Sequence, residues 1–205
     1  MWFTKRGSLI ILALLLCSCS TTHFIGEEKP VIDELTLVAP YCRIDCLVPN
    51  ADYYYSDSLS ALAEALIVNA LDQQKLPVSK TITVVGRSNQ EALDRDYQWL
   101  KQLSPYDDLE NRRLPAAMHA FLSMYSTRYA VLVYSEGFVW SRRVALEEDM
   151  RRFESNIWLL VADVRTGRPV YFTRSMPEEA DPLSGKSIVR RITYMLEEFN
   201  AGIQK

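Results

Sequence analysis

Glycine and histidine are scarce in this chain, at seven and two of 205 residues, and each scarcity removes a class of protein. Seven scattered glycines, no low-complexity tract and no internal repeat exclude collagen-like, linker-like and solenoid architectures. His23 and His119 are the only imidazoles. With Cys42 and Cys46 in "YCRIDC" they do not make a zinc ligand set, so no metal is expected. No apolar run reaches the roughly 20 residues that span a bilayer. Positive charge is also wanting: the formal net charge is −3, which gives nucleic acid nothing to be drawn to. The basic doublets Arg112-Arg113, Arg142-Arg143, Arg151-Arg152 and Arg190-Arg191 mostly have acids nearby and read as solvated, salt-bridged faces.

What is present begins with an address. Lys5 and Arg6 precede an apolar run from Leu9 to Leu16, followed by small residues, which is the layout of a bacterial export leader. Leu16-Cys17-Ser18-Cys19 resembles a lipobox, with an aliphatic residue at minus three, a small one at minus one, and then the cysteine that receives diacylglycerol. Cys19 fits better than Cys17, which would place bulky Leu16 where the signal peptidase takes a small side chain. The expected organisation is a signal peptide over 1–18, a lipidated tether over 19–33 and one domain over 34–205. Thioether-linked diacylglycerol and an amide-linked acyl chain such as palmitate bury dozens of methylenes, at about 0.8 kcal/mol each, so such an anchor is effectively permanent. Loss of the leader takes the formal charge from −3 to −5. Ser20 is not the aspartate that retains lipoproteins at the inner membrane of enterobacteria, which points to the outer membrane with the domain in the periplasm.

The mature chain is long enough for a single domain with a sizeable core. Leu35 onward alternates like a strand interrupted by Pro40. "SDSLSALAEALIVNALDQQ" places Leu59, Leu62, Leu66 and Leu71 at helical spacing after Asp57, a natural N-cap. Lys80–Val85 reads as a strand, Ser88 and Glu91 as a capping box opening a helix from Asn89 to about Leu103, and "LPAAMHAFLSMYS" as a helix started by Pro115. "YAVLVYSEGF", "NIWLLVADV" and "PVYFTRS" are strands, the first two apolar enough to be buried on both faces. Arg165-Thr166-Gly167-Arg168 is a hairpin turn with Gly167 at positive φ. Ile188, Ile192, Met195, Leu196 and Phe199 share one face of a closing helix. The expected class is α+β, a mixed sheet of about five strands with helices packed on it, in the order β-α-β-α-α-β-β-β-α.

This order, with "VLVYSEGF" leading into "WLLVADVRTGRPVYF", resembles a group of periplasmic lipoprotein domains. The group comprises the curli-secretion lipoproteins, the activator lipoproteins of penicillin-binding proteins and the amino-terminal domain of the Tol translocation protein. Asp163, Thr166, Gly167, Tyr171 and Phe172 occupy the places of that group's hairpin. Pro169 departs from its turn and suggests a second strand beginning at a sheet edge. The resemblance implies an adaptor or secretion component.

The residues themselves yield no reaction. "SGKS" at Ser184–Ser187 lacks the glycine that a phosphate loop needs where Ala180 stands, and Pro182 removes an N–H from the cradle. His119 has no G-x-S-x-G elbow to serve. Glu147-Glu148 and Glu178-Glu179 are adjacent pairs that do not face each other. Cys42 and Cys46 would lie about 13 Å apart on an extended chain, so a disulfide between them forms only if the chain bends; an oxidising compartment favours the bond and strand geometry opposes it. Tyr53, Tyr54, Tyr55, Phe138 and Trp140, aromatic and near turns, are the candidate partner-binding residues. The reading is a lipid-anchored, periplasm-facing adaptor or assembly factor without catalytic residues or cofactor, binding another envelope protein and free to form oligomers. Its rivals are an envelope hydrolase acting on glycan or peptide through carboxylates the sequence does not single out, and a channel subunit using the charged 141–155 segment, whose charges lipid would penalise.

Overall fold

The computed structural model describes residues 23–25, 30–47, 54–83, 87–103, 108–140, 154–175 and 181–203. The leader, Cys19, Tyr53, most of the 141–155 segment, and the pairs Glu147-Glu148 and Glu178-Glu179 lie outside these residues. The elements in chain order are β1 (His23–Phe24), β2 (Leu35–Val38), β3 (Tyr41–Leu47), β4 (Tyr54–Tyr55), α1 (Asp57–Asp72), β5 (Val78–Ile82), α2 (Arg87–Gln102), a 3-10 turn (Leu109–Asn111), α3 (Ala116–Tyr125), β6 (Tyr129–Trp140), β7 (Glu154–Asp163), β8 (Arg168–Arg174) and α4 (Gly185–Ile203). The class is α+β, as expected, and the five anticipated strands and four helices appear in the anticipated order. Two strands were not anticipated, β1 and β4, and the single strand read from Leu35 with an interruption at Pro40 is two separate strands, β2 and β3.

All eight strands join one mixed sheet ordered β1-β8-β7-β6-β2-β5, with β3 pairing β6 and β4. The spine is β6. Its first residues pair in parallel with β2, Leu35 to Tyr129 through Leu37 to Val131, and its later ones with β3, Tyr41 to Tyr134 through Leu47 to Trp140. The interruption at Pro40 is therefore a short break between two segments laid end to end along one neighbour. Proline has no N–H for the ladder, and just before it Ala39 donates its own to Ile82 O at 2.8 Å.

Alternation on the central strands feeds two cores. Val131, Val133, Leu159, Val161 and Tyr171 pack with Ala63 and Ile67 of α1 and Ile188, Ile192, Met195, Leu196 and Phe199 of α4. On the opposite face Ala130, Leu132, Tyr134, Trp158 and Leu160 meet Tyr97 and Leu100 of α2 and Met118 and Leu122 of α3. Burial on both faces explains the near-continuous apolar runs of β6 and β7. Each fully buried Leu, Val or Phe contributes about 1.5–3 kcal/mol relative to exposure, so this sheet is the main source of stability.

Three local expectations need correction. The N-cap of α1 is Ser56, whose Oγ accepts from Leu59 N at 3.5 Å, and Asp57 opens the first turn instead. Of the four leucines expected on the inner face of α1, Leu71 is buried and Leu59 and Leu66 pack against the core half-buried, while Leu62 is exposed and the fully buried stripe runs through Ser60, Ala63, Ile67, Ala70 and Leu71. The segment read as a free tether is partly docked. His23 and Phe24 pair antiparallel with Phe172 and Tyr171, and Ile25 N donates to Val170 O at 2.9 Å. The Phe24 ring lies 5.1 Å from Tyr171 and 5.8 Å from Phe199, and these aromatic contacts hold β1 on the sheet.

The β7–β8 turn is built as expected. Gly167 has φ +66°, and Asp163 Oδ1 accepts from Arg165 N at 2.9 Å. Pro169 sits opposite Ala162 at a register shift, beyond the residues paired with β1. There its missing N–H breaks no ladder bond. Among the described residues no helix is long and apolar enough to cross a membrane.

Candidate partner-binding surface

The helices α2 and α3 cover only the lower part of their sheet face. Tyr97 of α2 lies 5.4 Å from Tyr41 and 6.3 Å from Tyr134, and Tyr134 lies 5.8 Å from Tyr41 and 5.3 Å from Trp158. These rings form a packed row across β3, β6 and β7. Above it the same face continues as two cross-strand rows, fixed by register: Arg43–Glu136–Asn156, then Asp45–Phe138–Glu154. The upper row gains a fourth member because Tyr55 of β4 stands directly opposite Asp45. Directly opposed residues share a face. Tyr55 and Phe138 are therefore brought onto one surface, two strands and about 10 Å apart.

Around Phe138 lies an open depression of about 280 Å³, lined by Asp45, Glu136, Gly137, Phe138, Glu154 and Asn156. Three carboxylates meet two cations here. Lys101 Nζ contacts Glu136 Oε2 at 2.5 Å, and Tyr134 donates its hydroxyl to the same oxygen at 3.0 Å. Arg43 Nε stands 3.4 Å from Asp45 Oδ1, an ion-pair distance without hydrogen-bond alignment. Burial pushes the Tyr134 hydroxyl well above its ordinary pKa, and the adjacent Glu136 charge adds to the effect. That hydroxyl stays protonated and locks Glu136 to the aromatic row. Gly137 lines the depression through its backbone, and a Cβ there would point to the opposite face of the sheet, 2.9 Å from both Glu154 O and Pro182 Cβ.

The other candidate residues separate. Tyr54, 51% exposed, pairs with Cys46 and so faces the opposite side from Tyr55. The neighbouring Cys46 thiol raises the pKa of its hydroxyl. Trp140 closes β6 beside Leu47, with its side chain outside the described part. Cys42 and Cys46 are buried free thiols on one unbroken strand, so the bend that a bridge requires is absent. Burial, with a smaller contribution from the nearby Glu64 charge, holds the Cys42 thiol well above its usual range.

His119 packs its ring over Gly167 and places Nε2 2.8 Å from Val164 O, where it braces the hairpin. Ser184 of "SGKS" offers its Oγ to Ser187 N at 3.4 Å, a cap for α4 rather than a phosphate cradle. No cluster of metal-ligating side chains occurs among the described residues. Sequence reasoning missed Asp45, Glu136 and Glu154. Asp45 and Glu136 each sit two residues from an apolar or aromatic position on their own strands and Glu154 opens β7, but only cross-strand register reveals that the three share one depression.

No family model matches the chain, and no curated protein matches it. Among solved structures it is similar to a PelC dodecamer from Paraburkholderia phytofirmans, at 12% identity and a TM-score of 0.42, with 85% of this chain and 94% of that one covered. It is also similar to the LpoB C-terminal domain from Salmonella enterica, at 16% identity and a TM-score of 0.32, covering 72% and 84%. These likenesses are distant, below the level at which a shared function follows.

Proposed function

We propose that this chain is a lipid-anchored adaptor or assembly factor, held at the outer membrane through Cys19 with its domain in the periplasm, that binds another envelope protein without catalysing a reaction. The observation that carries this reading is the convergence of Tyr55 and Phe138 on one sheet face, with Asp45 and Glu154 beside them. Aromatic side chains framed by charge, on a rigid packed row, have the make-up of a protein-interface anchor. The lipid confines the domain at the membrane and raises its effective concentration toward a partner there.

The test is photo-crosslinking in intact cells from position 55 or 138, with position 124, whose native Met124 is 69% exposed at the end of α3, as the comparison. One envelope protein captured from 55 and 138, absent from 124 and lost in Cys19→Ser, supports the adaptor. Equal capture from all three positions refutes it.

A second reading, an envelope hydrolase acting on glycan or peptide, draws on the three carboxylates in one depression. Glu136 is committed to Lys101 and Tyr134, which leaves Asp45 and Glu154 on opposite sides of Phe138. That reading requires Glu154→Gln to abolish turnover of an envelope polymer while crosslinking persists.

A further inference from the structure

We propose that β1 is a membrane clamp, so that the lipid anchor mounts the domain directly against the bilayer surface instead of suspending it on a free tether. The proposal rests on the reading of Cys19 as the lipid-bearing residue. Only Ser20, Thr21 and Thr22 separate Cys19 from His23, and His23 is already in register with Phe172. Four residue steps span at most about 14 Å. Had β1 been free, the first buried side chain among the described residues would be Ile32, thirteen steps from Cys19 and up to about 45 Å of chain away. Docking of three residues thus removes about two-thirds of the anchor's reach.

The clamp also sets an orientation. β1 runs antiparallel to β8, and β8 lies parallel to β6 with antiparallel β7 between them. The chain preceding His23 therefore leaves toward the end of β8 that carries Arg174. That is the end of the sheet at which Phe138 and Glu154 lie. The anchor and the acid–aromatic depression share one pole of the domain, and the lipid surface is the first thing that pole meets. Phe24 is the pin, through its rings' contacts with Tyr171 and Phe199.

The experiment reconstitutes the full lipoprotein in vesicles and supported bilayers of phosphatidylethanolamine and phosphatidylglycerol, and reads two things. Mass spectrometry of the N-terminal peptide reports acylation of Cys19, and neutron reflectometry reports the height of the protein layer. Three proteins are compared: the native chain, Phe24→Asp, and a chain with eight Gly/Ser residues inserted between Thr22 and His23, which leaves β1 and the fold untouched. The expected result is an acylated native chain whose protein layer begins within about 15 Å of the headgroups, with a taller, broader layer for both variants. An acylated native chain separated from the headgroups by a wider hydrated gap, or an insertion that leaves the height unchanged, overturns the clamp alone. Absence of the acyl mass on Cys19 overturns the anchor reading and the clamp with it.

Discussion

Replacing Gly167 with alanine tests how the hairpin is held, and two separable costs are expected. The first is backbone: at φ +66° an L-residue places its Cβ against the following carbonyl, which costs about 1–2 kcal/mol. The second is steric. The new methyl would meet the His119 ring at 3.2–3.4 Å, and that ring is held in place by Nε2 against Val164 O at 2.8 Å. Displacing it by a few tenths of an ångström weakens a bond worth about 1 kcal/mol. The sum, about 2–3 kcal/mol, lowers Tm by about 5–10 °C for a domain of this size. Urea denaturation of the Cys19→Ser chain reads it directly. In a His119→Ala background the steric cost vanishes and only the backbone cost remains, so a double-mutant cycle should show about 1 kcal/mol of coupling. A Gly167→Ala cost below about 0.5 kcal/mol would refute the strain argument. An unchanged cost in the His119→Ala background would show that the ring does not brace the turn.

Alanine at Tyr55 or Phe138 should reduce partner crosslinking while leaving Tm within a few degrees, because neither side chain belongs to either buried core; the check is capture yield beside thermal melting. Tyr97, Tyr134 and Tyr171 all have pKa values raised chiefly by burial. With folded values above the unfolded one near 10, stability is unaffected below that pH and declines as pH climbs past it. Absorbance at 295 nm should show these three ionising together with unfolding rather than before it. Arg191, buried, donates to Ser155 Oγ, Ser155 O and Ser175 Oγ. Arg191→Leu leaves those groups without it and should cost about 2–4 kcal/mol in urea midpoint analysis.

Much of the architecture was legible because the central strands announce themselves. β6 and β7 are buried on both faces and read as unbroken apolar runs, while Asp163 and Gly167 mark the turn that follows. The closing helix has a single apolar stripe, and every residue assigned to it is buried. Two-residue strands have no period to detect, so β1 and β4 were invisible. β3 was legible only as the continuation of the Leu35 strand beyond Pro40, because nothing local marks it as a separate element. The depression was legible only in fragments. Tyr55 and Phe138 could be named as interface candidates, but nothing near Asp45 in the chain shows that it stands between them. Its neighbours Glu136 and Glu154 acquire meaning from pairing across β3, β6 and β7. That information is long-range, and no local window contains it.

The break at Ala39–Pro40 has a consequence for how this sheet can change over time. A single long strand beside β6 would have only one register, and any slip would turn every side chain to the wrong face. Here β2 and β3 are indexed to β6 separately. An insertion or deletion at the joint could re-index the Arg43–Asp45 segment by two residues without moving Leu35 or Leu37 from their core. The sheet thus behaves as a fixed lower storey carrying an upper one that can be refitted, which is a useful construction for a protein whose binding face must follow its partner while its fold stays put.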